Sequence, residues 1–421
     1  MRPEIAARIA QIRRGEVPRG YRKTKLGVTP SEWEIVPFQR MFSQLRRKNA
    51  VGNRNVLTIS AQYGLIAQED FFSKSVASEN TEHYFLLERG DFAYNKSYSN
   101  GYPFGALKPL TRYESGIVSP LYICFTPTAV NRCPEYYAQY FDAGMMNREI
   151  EAFAQEGARN HGLLNVSIAD FFNTRLLCPP PEEQRRIADV LSAQDSVIAL
   201  KEHLIAEKTR QKRYLMQQYL TGKRRLPGFD GEWKSVSVDN CIEEYKQLSN
   251  DVASIPVYSS SRKGLMPQSE YYDKKEAVKT NLGYKVVPPG YATYRHMSDD
   301  DIFHFNINET GGKILVSVEY PVFTASEICN LRFLIPSLNE TARFRYFCRT
   351  QKLGGTRTRL YLSNLVKYRL KLPPIAEQNA IAEILSAADR ELELLRRSLE
   401  LERRQKTALA QLLLTGLVHP S

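Results

Sequence analysis

The sequence predicts an α+β chain: two mixed α/β domains separated by two long, repeated helices that pair as an antiparallel coiled coil. Three observations lead there. A block of about forty residues is written twice, and each copy lacks Pro and Gly while repeating apolar residues every seven positions. The segments between the copies are rich in β-branched and aromatic residues punctuated by Gly and Pro, as in YFLLERGDFAYNKS and KILVSVEYPVFTA.

The chain is 421 residues long, which suits two or three domains, each able to bury its own core. A hydrophobic content of 43% with 25% charged residues excludes wholesale disorder. Lys and Arg number 58 against 46 Asp and Glu, a net charge of +12, and Tyr is frequent at 24. A basic, Tyr-rich chain suits an anionic, stackable partner, which points first to nucleic acid. No apolar run reaches the ~18 residues needed to span a bilayer. The opening MRPEIAARIAQIRRGE has no signal-peptide stretch, so a cytoplasmic protein is expected. The cysteines at 124, 133, 178, 241, 329 and 348 form no CxxC pair and read as reduced thiols.

Residues 1–30 read as an N-terminal helix and entry segment, and 31–178 as the first domain. Residues 179–222 follow as the central helix, 223–372 as the second domain, 373–416 as the C-terminal helix and 417–421 as a tail. CPPPEEQRRIADVLSAQD, ending at Asp195, returns as LPPIAEQNAIAEILSAAD, ending at Asp389, an offset of 194. That register holds from Pro179/Pro373 to Gly222/Gly416. A fainter repeat at an offset of 200 pairs Trp33 with Trp233, YGLIAQEDFFSK with KGLMPQSEYYDK, and Gly90 and Tyr94 with Gly290 and Tyr294.

The prolines before each block end the preceding strand, since Pro is tolerated only in a helix's first turn, and Gly222 and Gly416 are natural stops. Leu191, Ile198 and Ile205 repeat every seven residues, as do Leu385, Leu392 and Leu399 in the same register. These six are the expected helix-pairing residues. Lys212 and Lys406 stand where the next seam residue would fall. Forty residues at 1.5 Å give a rod of about 60 Å.

Basic residues concentrate in loop-like stretches, which makes them candidates for DNA contact. In the first domain these are Arg46, Arg47, Lys48 and Lys74, with Asn95, Lys96 and Ser97 just after Tyr94. In the second they are Ser261, Arg262, Lys263, Arg295 and His296, with Arg357 and Arg359 in GGTRTR. Arg can pair bidentately with guanine O6/N7, and Asn can address adenine through its amide. Lys223-Arg224-Arg225 follows a helix end and reads either as a complement to its dipole or as a phosphate clamp.

Catalytic signatures are absent from the sequence. There is no phosphate loop, no dinucleotide glycine motif and no HExxH among His83, His161, His203, His296, His304 and His419. The Pro-Pro sites lack the surroundings of an adenine methyltransferase loop. Asp299-Asp300-Asp301 reads as a solvated acidic loop sooner than as a magnesium site. The expectation is a binding subunit, not an enzyme, with no metal and no cofactor of its own.

With its two helix-opening blocks, their LTG endings at 220–222 and 414–416, and the entry segments VTPSEWEIV and LPGFDGEWKSV, the chain resembles the DNA specificity subunit of type I restriction–modification systems. YNKS–GALK (94–108) and GGTRTRLYLS (354–363) are similar to segments of that family's target domains. The resemblance implies two target recognition domains on double-stranded DNA, held apart by the repeated helices. It also implies two methyltransferase (modification) subunits that bind S-adenosylmethionine, and restriction subunits, in a prokaryotic cytoplasm. Each target domain would then read one half of an asymmetric, bipartite site. A stand-alone nucleic-acid-binding adaptor is the alternative.

Overall fold

The computed structural model describes residues 3–60, 63–71, 81–99, 101–156, 164–268, 283–352 and 357–420. The chain divides into two compact units, Met1–Leu200 with Ser398–Ser421, and Lys201–Arg397. The expected mixed α and β composition is present, and the Pro- and Gly-free blocks are helices over Pro181–Tyr219 and Ile375–Leu414.

In the first unit a helix over Pro3–Arg13 and a hairpin of Tyr21–Thr24 with Gly27–Pro30 precede the domain. The strand Glu34–Pro37 pairs antiparallel with Arg175–Cys178, so the segments entering and leaving the domain are bonded to each other. Between them lies a four-stranded antiparallel sheet in the order Phe42–Gln44, Ile123–Pro127, Phe92–Asn95, Ala106–Pro109. Its core is aromatic. Phe38 sits 4.9 Å from Phe42, 5.1 Å from Phe125 and 4.8 Å from Phe171 between ring centroids, in stacked and edge-on arrangements that favour the ring quadrupoles.

The second unit repeats this plan. Lys234–Ser237 pairs antiparallel with Arg369–Leu372. Its four-stranded sheet runs Ile242–Glu244, Val322–Ala325, Ala292–Tyr294, Phe305–Ile307, the same order by position in the sequence. The faint offset of 200 is therefore a repeat of topology. Helices over Leu331–Glu340 and Ala342–Thr350 cover this sheet, and Phe333, Leu334 and Phe344 are buried in its core.

The abundance of tyrosine has a different meaning from the stacking surface that composition suggests. Tyr94, Tyr136, Tyr137, Tyr140 and Tyr294 are fully buried. Burial pushes the Tyr94 and Tyr294 hydroxyls far above their usual range, so they remain neutral donors. The matched pair does the same work twice: Tyr94 donates to the Phe104 carbonyl at 2.7 Å and Tyr294 to the Leu360 carbonyl at 2.8 Å. Each anchors a loop onto its sheet.

The helices run antiparallel within each unit. In the first, Ile187, Ala188 and Leu191 share a core with Ala410, Leu413 and Leu414, while Gln194 donates to Glu402 at 2.6 Å and Lys406 meets Asp195 at 2.6 Å. In the second, Tyr219 and Leu220 share a core with Ile381 and Leu385, Lys208 meets Glu391 at 2.6 Å and Lys212 pairs with Asp389. Leu191, Leu385, Leu392 and Leu399 are buried, and Ile198 and Ile205 half-buried. Gly222 and Gly416 end the helices with φ of +70° and +69°, a left-handed conformation that favours glycine. The prolines and a matched glutamine shape the starts: Gln184 donates to the Pro179 carbonyl and Gln378 to that of Pro373, both at 2.8 Å. The six cysteines are free thiols.

Candidate nucleic-acid interface

In the second unit the hairpin of Tyr258–Ser261 with Gly264–Pro267 carries Arg262 and Lys263 at its tip. Four residues form that turn because the Ser261 hydroxyl donates to the Gly264 carbonyl at 3.0 Å and accepts from the Lys263 amide at 3.1 Å. The tip faces a segment leaving the sheet at Tyr294, and together they line a groove of about 610 Å³. Ser261, Arg262, Lys263 and Arg295 all lie along it, beside Asp299 and Asp300.

Arg357 and Arg359 join this place from a third element. The short strand Thr358–Arg359 pairs with Met297–Ser298, and the Arg357 Nε donates to Asp299 at 2.8 Å. Asp300 accepts from Arg262 and, at 2.9 Å, from Ser298. The Arg262 guanidinium holds the Asp300 carboxyl at about 2, so the aspartate is ionised at any ordinary pH. The triple-aspartate segment is exposed at Asp299 and Asp300, as expected of a solvated acidic loop, and its carboxylates are also partners for arginine and threonine. His296 is 2% exposed and stacks on Tyr361 at 5.3 Å, and burial lowers its imidazole below the usual histidine range. It lies beneath the groove residues and not among them.

In the first unit Arg46 is exposed and donates to Gln44 at 3.0 and 2.8 Å. Arg47 is tied inward by Asp91 at 2.7 Å, Glu88 at 3.1 Å and the Leu86 carbonyl at 3.1 Å. Lys48 donates to the His83 carbonyl at 2.8 Å with its ammonium 3.7 Å above the Phe85 ring. Asn95, Lys96 and Ser97 are half-buried at the end of a sheet strand, where the Ser97 amide donates to the Asn95 side chain at 3.1 Å. Gly105 is required opposite them, since a Cβ there would lie 2.2 Å from the Asn95 carbonyl oxygen. Lys74 lies outside the described residues.

Sequence reading missed a second feature, a clasp at the base of each domain. Trp33 Nε1 donates to Glu183 at 2.9 Å, and Trp233 Nε1 to Glu377 at 3.0 Å. Glu377 also takes both prongs of Arg225 at 2.7 Å, while Glu183 meets His419 Nδ1 at 2.5 Å. Arg225 and His419 occupy the same place in the repeat. Arg225 thus turns inward to a carboxylate and is neither the dipole complement nor the phosphate clamp that its position suggested. The signal was present, because Trp33/Trp233 and Glu183/Glu377 both stand out in the repeat. Glu32, Glu183 and His419 could each offer one ligand atom to a metal within 4.8 Å of one another, but Trp33 and His419 already use the Glu183 carboxylate.

Two α+β domains of one topology, each entered beside a tryptophan and followed by one copy of a long helix, define a duplicated domain-and-helix architecture. Residues 255–403 match the model of the Type I restriction modification DNA specificity domain. Along 94% of its length the chain is 21% identical to a putative type I restriction enzyme specificity subunit of Methanocaldococcus jannaschii, covering 96% of that protein. Its fold resembles a chain solved in work on complex assembly and conformational transition of the type I R-M system. There the TM-score is 0.53 at 16% identity, over 93% of this chain and 99% of the other. It also resembles the type I restriction–modification S subunit of M. genitalium, with a TM-score of 0.51 at 11% identity over 92% and 96%. The chain is thus similar to type I restriction–modification specificity subunits along nearly its whole length, with the specificity-domain match itself confined to residues 255–403. Among the described residues no helix is long and apolar enough to cross a membrane.

Proposed function

We propose that the chain is the non-catalytic, sequence-reading subunit of a type I restriction–modification complex. Its target recognition domains, residues 31–178 and 223–372, each dock on one half of a split double-stranded DNA site. Phosphate contacts position each domain and a few side chains read base edges. The observation that carries this reading is the duplication itself. Two domains share one sheet order, yet their tips differ in sequence: Asn95-Lys96-Ser97 stands in one where Arg295-His296-Met297 stands in the other. Diverged readers on a common frame imply half-sites of different sequence with unread bases between.

The paired helices set the distance between the half-sites, as dimer geometry sets half-site separation elsewhere. They also present apolar residues that their own pairing leaves exposed: Val190, Val197 and Leu204 at seven-residue spacing on one helix, and Leu394 and Leu401 on the other. Such seams suit helices of two modification subunits. S-adenosylmethionine would bind those subunits and not this chain, and restriction subunits would complete the assembly in the cytoplasm of a prokaryote. Co-purification with methyltransferase subunits encoded beside it is expected. A chain that binds DNA but captures no methyltransferase would instead be a stand-alone adaptor.

A further inference from the structure

Among the described residues, three consecutive carboxylates each hold a different group beside one groove. Asp299 accepts from Arg357 Nε at 2.8 Å, Asp300 from Arg262, and Asp301 from the Thr358 hydroxyl. These ion pairs are half exposed, with Arg262 at 56% and Arg357 at 53%, and pairs of that kind add little stability. The backbone nevertheless bends to make them. Asp301 has φ of +63°, the only positive φ outside glycine among the described residues. The corresponding loop of the first copy, between Tyr94 and Leu107, contains no Asp or Glu, and its Gly101 has φ of +84°. The second domain's loop therefore carries three carboxylates and holds one of them, Asp301, in a backbone conformation unfavourable for a side chain.

We propose that Asp299, Asp300 and Asp301 are the positioning residues for base reading in the second domain, and that they commit its half-site to guanine. The proposal rests on the DNA-reading function given above. Engaging Arg357 at Nε leaves the terminal nitrogens of its guanidinium as a fork, the geometry that matches O6 and N7 of guanine. The aspartates also offset the positive charge along the groove, so that indiscriminate attraction to phosphate is weakened while the directed donors remain. Thr358, held by Asp301, fixes the strand that carries Arg357 and Arg359 beside Met297.

The test is selection of the full-length chain, wild type and variants, on a duplex DNA library with randomised positions. Wild type should enrich a two-part motif with guanine in one half. D299N and D300N should each lower guanine enrichment in that half by about tenfold, leave the other half unchanged, and bind mixed DNA at least as tightly. R357K should retain affinity for mixed DNA and lose the same guanine preference. D301G tests the strained turn directly, and its thermal midpoint should not fall, because glycine adopts a positive φ without strain. Unchanged guanine enrichment in D299N and D300N would overturn the inference while leaving the two-part reading intact. So would equal loss of preference in both halves, which would mark a general loss of structure. A wild-type chain that enriches no two-part motif would overturn the function itself.

Discussion

At the scale of residues, charge takes its meaning from its partner. Net charge pointed to nucleic acid, yet Arg47, Arg225, Arg262 and Arg357 all face carboxylates. Their burial separates them: Glu377 is fully buried beneath Arg225, whereas Asp299 is 69% exposed beside Arg357. Glu377 is the acceptor for Trp233 Nε1 as well as Arg225, so Glu377→Ala leaves the indole donor without its partner and should destabilise the chain by about 1–3 kcal/mol, measured as a lowered urea midpoint. Arg357→Ala should leave that midpoint unchanged and weaken binding by about 1–3 kcal/mol at one base pair. Equal weakening on every DNA sequence would make Arg357 a phosphate contact. Which arginines are paired was not legible in the sequence, because Arg357 and Asp299 lie far apart along it and meet only through the fold.

Helices were the most legible elements, because their signals are local. Proline fixes where each begins, glycine where each ends, and the period of seven names the buried face. The lysines that interrupt the seam, Lys212 and Lys406, are explained by matched aspartates, Asp389 and Asp195. No local pattern shows such a pair in advance, since each partner lies on the other helix. Leu392 is buried at the seam, and Leu392→Asp places an unpaired charge there. It should lower the thermal midpoint and impair assembly with methyltransferase subunits; an unchanged light-scattering mass of the complex would contradict this register. Strands were less legible. Short segments of aromatic and β-branched residues announce a sheet but not its order, which follows from contacts between distant segments. The tyrosines illustrate the loss: Tyr136, Tyr137 and Tyr140 sit close together on one helix and fill a core that composition alone assigned to a partner.

For the whole molecule, the duplication organises everything else. Each unit holds one domain, its tryptophan clasp, and a half of both long helices. That arrangement connects the readers to the elements proposed to set their separation. The central claim is that two diverged domains read two different half-sites across a spacer fixed by the helices. The most direct measurement is methylome sequencing of a host carrying the complex, with the wild-type chain and with a variant bearing seven added residues in both helices, which keeps the seam in phase. The account predicts one asymmetric, bipartite methylated sequence for the wild type, and the same two half-sites with a longer unread spacer for the variant. A methylated site with identical spacer in both, or one with a single uninterrupted motif, would contradict it.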